Sequence, residues 1–320
     1  MKKGYLNLLG LAVGWVLVFA FFAFRAPETF PTLSNFETIL RQTTIVAFAA
    51  IGMTYIIISG AIDLSVGSMV ALVTVVIALF LEQQVPALGA AALGITAGLI
   101  CGGLNGFLVS KLRVSSFIVT LGGFLLFRGI AKGLADNQKI DAPITWLADV
   151  LATLKPDEKW KIVPPGVWLL IVCAILAALV LSKTVFGRNV LAVGGNEEAA
   201  RLSGINVNKT RIGVFALSGL FVGLAGLMQF SRLTVGDPTV AVGLELDVIA
   251  AVVIGGASLN GGEGSIAGSL LGALIMATIR AGCSQIGLDN WVQEIVTGVI
   301  IVAAVALDRW RLARLQNRTA

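Results

Sequence analysis

Along this chain apolar residues come in long unbroken runs rather than in alternation. Residues 8–24 carry no charge, and comparable runs recur along the whole chain. A helix rises about 1.5 Å per residue, so about 20 apolar residues cross a hydrocarbon core of about 30 Å. The pattern predicts about ten membrane helices, at 8–24, 44–59, 65–81, 88–110, 115–134, 167–181, 212–230, 243–258, 265–282 and 291–307. Strands of a membrane barrel would alternate polar and apolar positions, and these runs do not. The expected fold class is therefore all-α, a polytopic membrane protein with one transmembrane domain over 1–320. Its first half is about 1–165 and its second about 166–320. The runs near 44–81 and 243–258 are marginal, and re-entrant segments are the alternative there. The first run follows Lys2 and Lys3 as a signal peptide's would. Its length and the lack of a small-residue cleavage site favour a membrane helix.

Composition agrees with this class. Hydrophobic residues make up 57% of the chain and charged residues only 13%, about half the share of a soluble domain. The net charge of +5 is read as the positive-inside bias of a membrane protein rather than as a nucleic-acid footprint. With ten spans, four basic clusters fall on one side, the cytoplasm: Lys2 and Lys3; Lys111 and Arg113; Lys183, Arg188, Arg201, Lys209 and Arg211; and Arg309, Arg311, Arg314 and Arg318. Both termini are then cytoplasmic, and the loop 135–165 lies outside. The chain has no histidine, which removes histidine acid–base chemistry, metal ligation and pH switching. Cys101, Cys173 and Cys283 lie far apart in apolar runs and read as packing residues. No metal site is expected.

The two halves resemble each other. Ile62-Asp63-Leu64-Ser65-Val66 is similar to Leu244-Glu245-Leu246-Asp247-Val248, and Gly94 and Gly98 match Gly268 and Gly272. Residues 111–122 are weakly similar to 285–296. The matched segments fall on opposite sides in the ten-span topology, the arrangement of two inverted repeats, which in transporters places the pathway at the repeat interface. Glycines at four-residue spacing (Gly94, Gly98, Gly102 and Gly106; Gly264, Gly268 and Gly272; Gly219 and Gly223) let helix backbones approach closely in lipid, and packing is the expected role.

Candidate chemistry is sparse. No Gly-x-x-x-x-Gly-Lys-Ser/Thr loop exists to cradle phosphate. The formal Gly-x-Gly-x-x-Ala match at 262–267 has no strand before it. No nucleophile is paired with a base, so an enzyme acting alone is not expected. Asp63 sits in a polar break between apolar runs, and Glu245 and Asp247 open the eighth helix. With the neutral Asn105 and Gln229 they are the candidates for a translocation path. Cavity lining and structural capping are both open for Asp63 and Glu245. Arg128, Lys132, Arg280 and Glu294 lie toward span ends, where snorkelling is expected.

The stretch Gly194-Gly195-Asn196-Glu197-Glu198-Ala199-Ala200-Arg201-Leu202-Ser203-Gly204-Ile205 is a short polar element between long apolar runs. Asn196 suits an N-cap, Glu197 and Glu198 complement the helix dipole, and Gly204 suits the left-handed stop. An ordinary surface loop is the plain alternative.

This stretch resembles the coupling loop of the ribose-, galactose-, xylose- and arabinose-type sugar permeases of ABC importers. The likeness continues through Ile51-Gly52-Met53-Thr54, residues 60–68, 187–196 and 199–209, and 244–259, in order along essentially the whole chain. Ala61 stands where the family usually has glycine, and the loop 135–165 has little to match. The resemblance implies a permease subunit in the bacterial inner membrane. Its partners would be a second permease copy, in a homodimer or heterodimer, a cytoplasmic ATPase that binds the ATP, and a periplasmic sugar-binding protein. The permease itself would carry no cofactor and contact membrane lipid but no nucleic acid. It further implies that the loop 183–211 docks the ATPase through Asn196, Glu197, Glu198, Arg201, Leu202 and Gly204, with Leu202 as apolar anchor and the charged residues as rim. The loop looks most like ribose systems. Similar permeases carry nucleosides or furanone-type autoinducers, and an autonomous ion-coupled carrier is the alternative from another class.

Overall fold

The computed structural model describes residues 2–316, so Arg318 of the last basic cluster lies outside the described residues. Twelve α-helices account for most of them. In chain order they are α1 (Lys2–Arg25), α2 (Leu33–Ile58), α3 (Val66–Glu82), α4 (Ala87–Leu112), α5 (Ser116–Leu134), α6 (Pro165–Lys183), α7 (Val185–Gly195), α8 (Glu197–Leu202), α9 (Val207–Leu233), α10 (Leu244–Ile254), α11 (Ile266–Gln285) and α12 (Asn290–Gln316). Each of the ten expected helices has a counterpart, and α7 and α8 are additional. Among the described residues seven helices are long and apolar enough to cross a membrane. Three of the ten expected spans are not among them: those at 65–81 and 291–307 are shorter apolar helices, and the one at 243–258 is shorter still. Helix α10 has 11 residues and reaches only about 16 Å. Gly255 and Gly256 end it, the latter at φ +90°.

Helix α2 is the centre of the bundle, buried almost without interruption from Thr43 to Ile58. Its contacts and those of α9 recur as the sequence repeat requires. As α4 packs on α9, so α11 packs on α2. As α3 packs on α4, α5 and α9, so α10 packs on α11, α12 and α2. Helices α1 and α6 depart from this scheme. Helix α1 lies on α11, where the Trp15 Nε1–H donates to Thr278 Oγ1 at 3.0 Å, and α6 lies on α2.

The α4–α9 contact shows why glycine recurs. A Cβ on Gly98 would lie 2.8 Å from the Gly223 Cα, and one on Gly102 would lie 2.8 Å from the Gly219 Cα. The two backbones touch, and packing is the role of these ladders. Gly264 is an exception, standing before α11 rather than on it.

Two non-helical segments run alongside helices. Residues 59–65 lie against α5: the Ile62 N–H donates to Ser116 Oγ at 3.2 Å and the Leu64 N–H to Thr120 Oγ1 at 3.1 Å. Residues 235–243 follow α3 backwards, from Gly236 beside Ala78 to Ala241 against Gly67. Their start forms β2 (Val235–Gly236), which pairs antiparallel with β1 (Ile140–Asp141) of the long loop. Hydrogen bonds from side chains let such backbone persist inside a bundle.

Candidate functional site

Helix α8 is built by local chemistry. Asn196 adopts extended φ and ψ of −158° and 104°, and its side chain accepts the Ala199 N–H at 2.9 Å. Gly204, at φ +84°, lets Gly204 and Ile205 return their N–H groups to the Arg201 and Ala200 carbonyls. Ala200 is buried against Val193 and Val207. Glu198, Arg201 and Leu202 face outward, and Leu202 is 84% exposed. Glu197 behaves differently. Its carboxylate accepts from Arg211 of α9 at 2.7 Å and from Arg201 at 2.9 Å. These bonds, Arg211's foremost, hold it below the ordinary glutamate range. It therefore tethers α8 to α9.

Beside α8 opens a cleft of about 790 Å³. Gly60, Ala61, Arg113, Ser116, Arg201 and Arg211 are among the residues that line it. Two of the expected basic clusters thus meet at one face of the protein.

The expected path residues form two groups. Asp63 is fully buried, and one of its oxygens accepts both the N–H (2.8 Å) and the Oγ–H (2.6 Å) of Ser65. The Asn105 amide donates to the same Ser65 hydroxyl at 2.9 Å. Ser65 therefore joins Asp63 to Asn105 across α3 and α4. Glu245 and Asp247 form the second group. Glu245 accepts the Gly243 N–H at 3.2 Å and packs on Gly67, and Asp247 pairs with Arg280 at 2.6 Å. Gln229 is buried on α9 and joins neither hydrogen-bond group.

The profile of the family described as "Branched-chain amino acid transport system / permease component" matches residues 35–305. The chain belongs to this permease family. Named relatives align over nearly their full length. The ribose import permease protein RbsC of Escherichia coli (strain K12) is 40% identical over 296 residues, 92% of each chain. The L-arabinose transport system permease protein AraH of the same strain is 36% identical over 302 residues, 94% of this chain and 90% of its own. The xylose transport system permease protein XylH of Haemophilus influenzae is 35% identical over 364 residues, 95% of each.

In this permease two structural elements beside the candidate site escape a reading of the sequence alone. Arg128, expected to snorkel, is 8% exposed and turned inward. One of its guanidinium nitrogens donates to the carbonyls of Pro238 (2.9 Å) and Val240 (2.6 Å), so it clamps the 235–243 segment to α5. Arg280, also expected to snorkel, is committed to Asp247. Lys132 and Glu294 are exposed. The second element is α7, which leads into α8. Its Thr184 cap accepts the Gly187 N–H at 3.1 Å.

Proposed function

We propose that this chain is the membrane-spanning subunit of an ATP-driven importer of a monosaccharide, with ribose or a related pentose as substrate. Two copies, or this chain and a similar one, form the channel in the bacterial inner membrane, with both termini in the cytoplasm. A separate ATPase subunit binds and hydrolyses ATP, and a periplasmic binding protein delivers the sugar. The profile's description names branched-chain amino acids, whereas the named relatives at 35–40% identity are ribose, arabinose and xylose permeases. Identity of this degree over nearly whole chains favours the sugar.

Helix α8 carries the reading. It is capped at both ends, tied to α9 through Glu197, and presents Leu202 outward beside two charged residues. An exposed apolar anchor within a polar rim is the form of a protein-docking element. An autonomous ion-coupled carrier has no use for one. The acidic groups at Asp63 and at Glu245 and Asp247 are proposed to lie along the path, since buried carboxylates within a bundle mark such routes.

Two measurements test this. Gentle purification from native membranes followed by native mass spectrometry should recover two permease chains with an ATPase, and repeated recovery of this chain without one supports the secondary carrier. Uptake of labelled ribose, arabinose, xylose and leucine by cells with and without the permease then separates sugar from amino acid. Nucleoside and autoinducer competitors cover the remaining alternatives.

A further inference from the structure

Helix α7 is fastened to the C-terminal part of α2 at both of its ends. At the start, the Phe186 ring lies 6.3 Å from the Tyr55 ring. At the far end the fastening is backbone on backbone. The Gly262 N–H donates to the Ile58 carbonyl oxygen at 2.8 Å. Gly194 is pressed against this bond: a Cβ there would strike the same carbonyl oxygen and lie 2.8 Å from the Gly262 nitrogen. A Cβ on Gly261 would in turn lie 2.5 Å from the Gly194 oxygen. Gly261 and Gly262 hold φ of +84° and +78°, where glycine alone sits without strain. Ile58 ends α2, Gly194 is the penultimate residue of α7, and 261–262 lie in the turn between α10 and α11. One contact therefore joins the arm that carries α8 to both halves of the chain.

We propose that Gly194 is a positioning residue for transport, its bare Cα forming the joint through which movement of α8 reaches α2 and the α10–α11 turn. This rests on the reading of α8 as the ATPase-docking element. Three backbones in direct contact have no side-chain rotamers between them to absorb a displacement, and packed elements shift as units rather than deform. Only Gly195 and Asn196 separate Gly194 from α8, so a docked α8 cannot move without loading the joint. Beyond it, Ile58 leads directly into the segment that holds Asp63, and the 255–265 turn leads back into the helix that holds Glu245 and Asp247. Both acidic groups stand one element away.

The adjacent glycine supplies the control. A Cβ on Gly195 meets nothing within 4 Å. In proteoliposomes containing the whole complex with its ATPase and binding protein, Gly194→Ala, Gly195→Ala and Leu202→Arg are compared. Gly194→Ala should retain the ATPase in wild-type stoichiometry and hydrolyse ATP, while sugar moved per ATP falls by about tenfold. Gly195→Ala should match wild type. Unchanged transport per ATP in Gly194→Ala overturns the joint. Retention of the ATPase by Leu202→Arg overturns the docking reading, a separate readout from the coupling ratio. Should Gly194→Ala fail to fold, hydrogen exchange of the wild-type complex decides. The Gly262 amide should stay protected in both nucleotide-free and vanadate-trapped states, and loss of protection in either overturns the proposal.

Discussion

Arg211 reaches from α9 to hold the Glu197 carboxylate at 2.7 Å, so an ion pair ties the short helix that leaves the bundle back to it, beside the packing of Ala200 on Val207. Arg201, four residues along α8, shares that acid at 2.9 Å. A carboxylate whose pKa is lowered on folding contributes stability that is present above its unfolded value and is lost as pH falls through the folded one. For Glu197 the window lies below the ordinary 4.5. Its side chain is 41% exposed, so screening limits the bonds to about 0.5 kcal/mol. Amide exchange at 199–203 should therefore rise about twofold between about pH 5 and about pH 3, after correction for intrinsic rates. Glu197→Gln should show the faster exchange at both and no such response. An equal response in the variant removes the tether from the account.

Leu202 is 84% exposed and makes no part of the core. Leu202→Arg should leave the amount and thermal stability of the permease in the membrane unchanged, within about 0.5 kcal/mol. An apolar anchor at the centre of an interface contributes about 2 kcal/mol or more. The variant should therefore lose the ATPase on purification and lose uptake. Normal uptake places the docking surface elsewhere.

The helices were legible where apolar content is continuous, and their limits were hidden where other forces act. Helix α2 begins at Leu33, capped by Thr32, and its start was read near Thr44 because Asn35, Glu37 and Arg41 interrupt the apolar run. Asn35 and Arg41 find backbone acceptors, at Phe30 and Leu151, and Glu37 accepts the Leu154 N–H. Helix α7 was missed because Gly187, Gly194 and Gly195 disfavour helix in isolation. Tertiary contact with Tyr55 and Ile58 supplies what propensity lacks. The cap of α8 was readable because Asn196, Glu197 and Gly204 act within one turn. The Glu197–Arg211 tether was not, since it joins two helices. Asp63 was found by its place in a polar break, but its link to Asn105 runs through a Ser65–Asn105 bond that spans forty positions and leaves no local pattern. Arg128 misled because a cation near a span end usually reaches for water, and here the carbonyls of 235–243 take its place.

Those carbonyls make Arg128 sensitive. Removing a buried guanidinium that makes two charge-assisted bonds costs about 2–4 kcal/mol. Arg128→Ala should lower the thermal midpoint of the detergent-solubilised protein and speed exchange across 235–243. Arg128→Lys retains charge and can still donate from one nitrogen, but an ammonium is more strongly hydrated than a guanidinium and costs more to bury, so it should fall between wild type and Arg128→Ala. An unchanged midpoint in Arg128→Ala shows the clamp to be dispensable.

Neighbouring glycines on α4 separate packing from composition. A Cβ on Gly102 would lie 2.8 Å from the Gly219 Cα, whereas one on Gly103 meets nothing within 4 Å. Both substitutions to leucine add the same volume to the same helix, and both raise its intrinsic helix propensity. Gly102→Leu must force α4 and α9 apart along their whole glycine seam, at a cost of about 3 kcal/mol or more. Gly103→Leu has room and should be neutral. The expected outcome is loss of folded, detergent-extractable protein for Gly102→Leu alone, read by size-exclusion of the solubilised membrane fraction. Equal yields would mean that α4 and α9 do not meet backbone to backbone in the membrane, and the glycine seam would then have to be explained by motion rather than by packing.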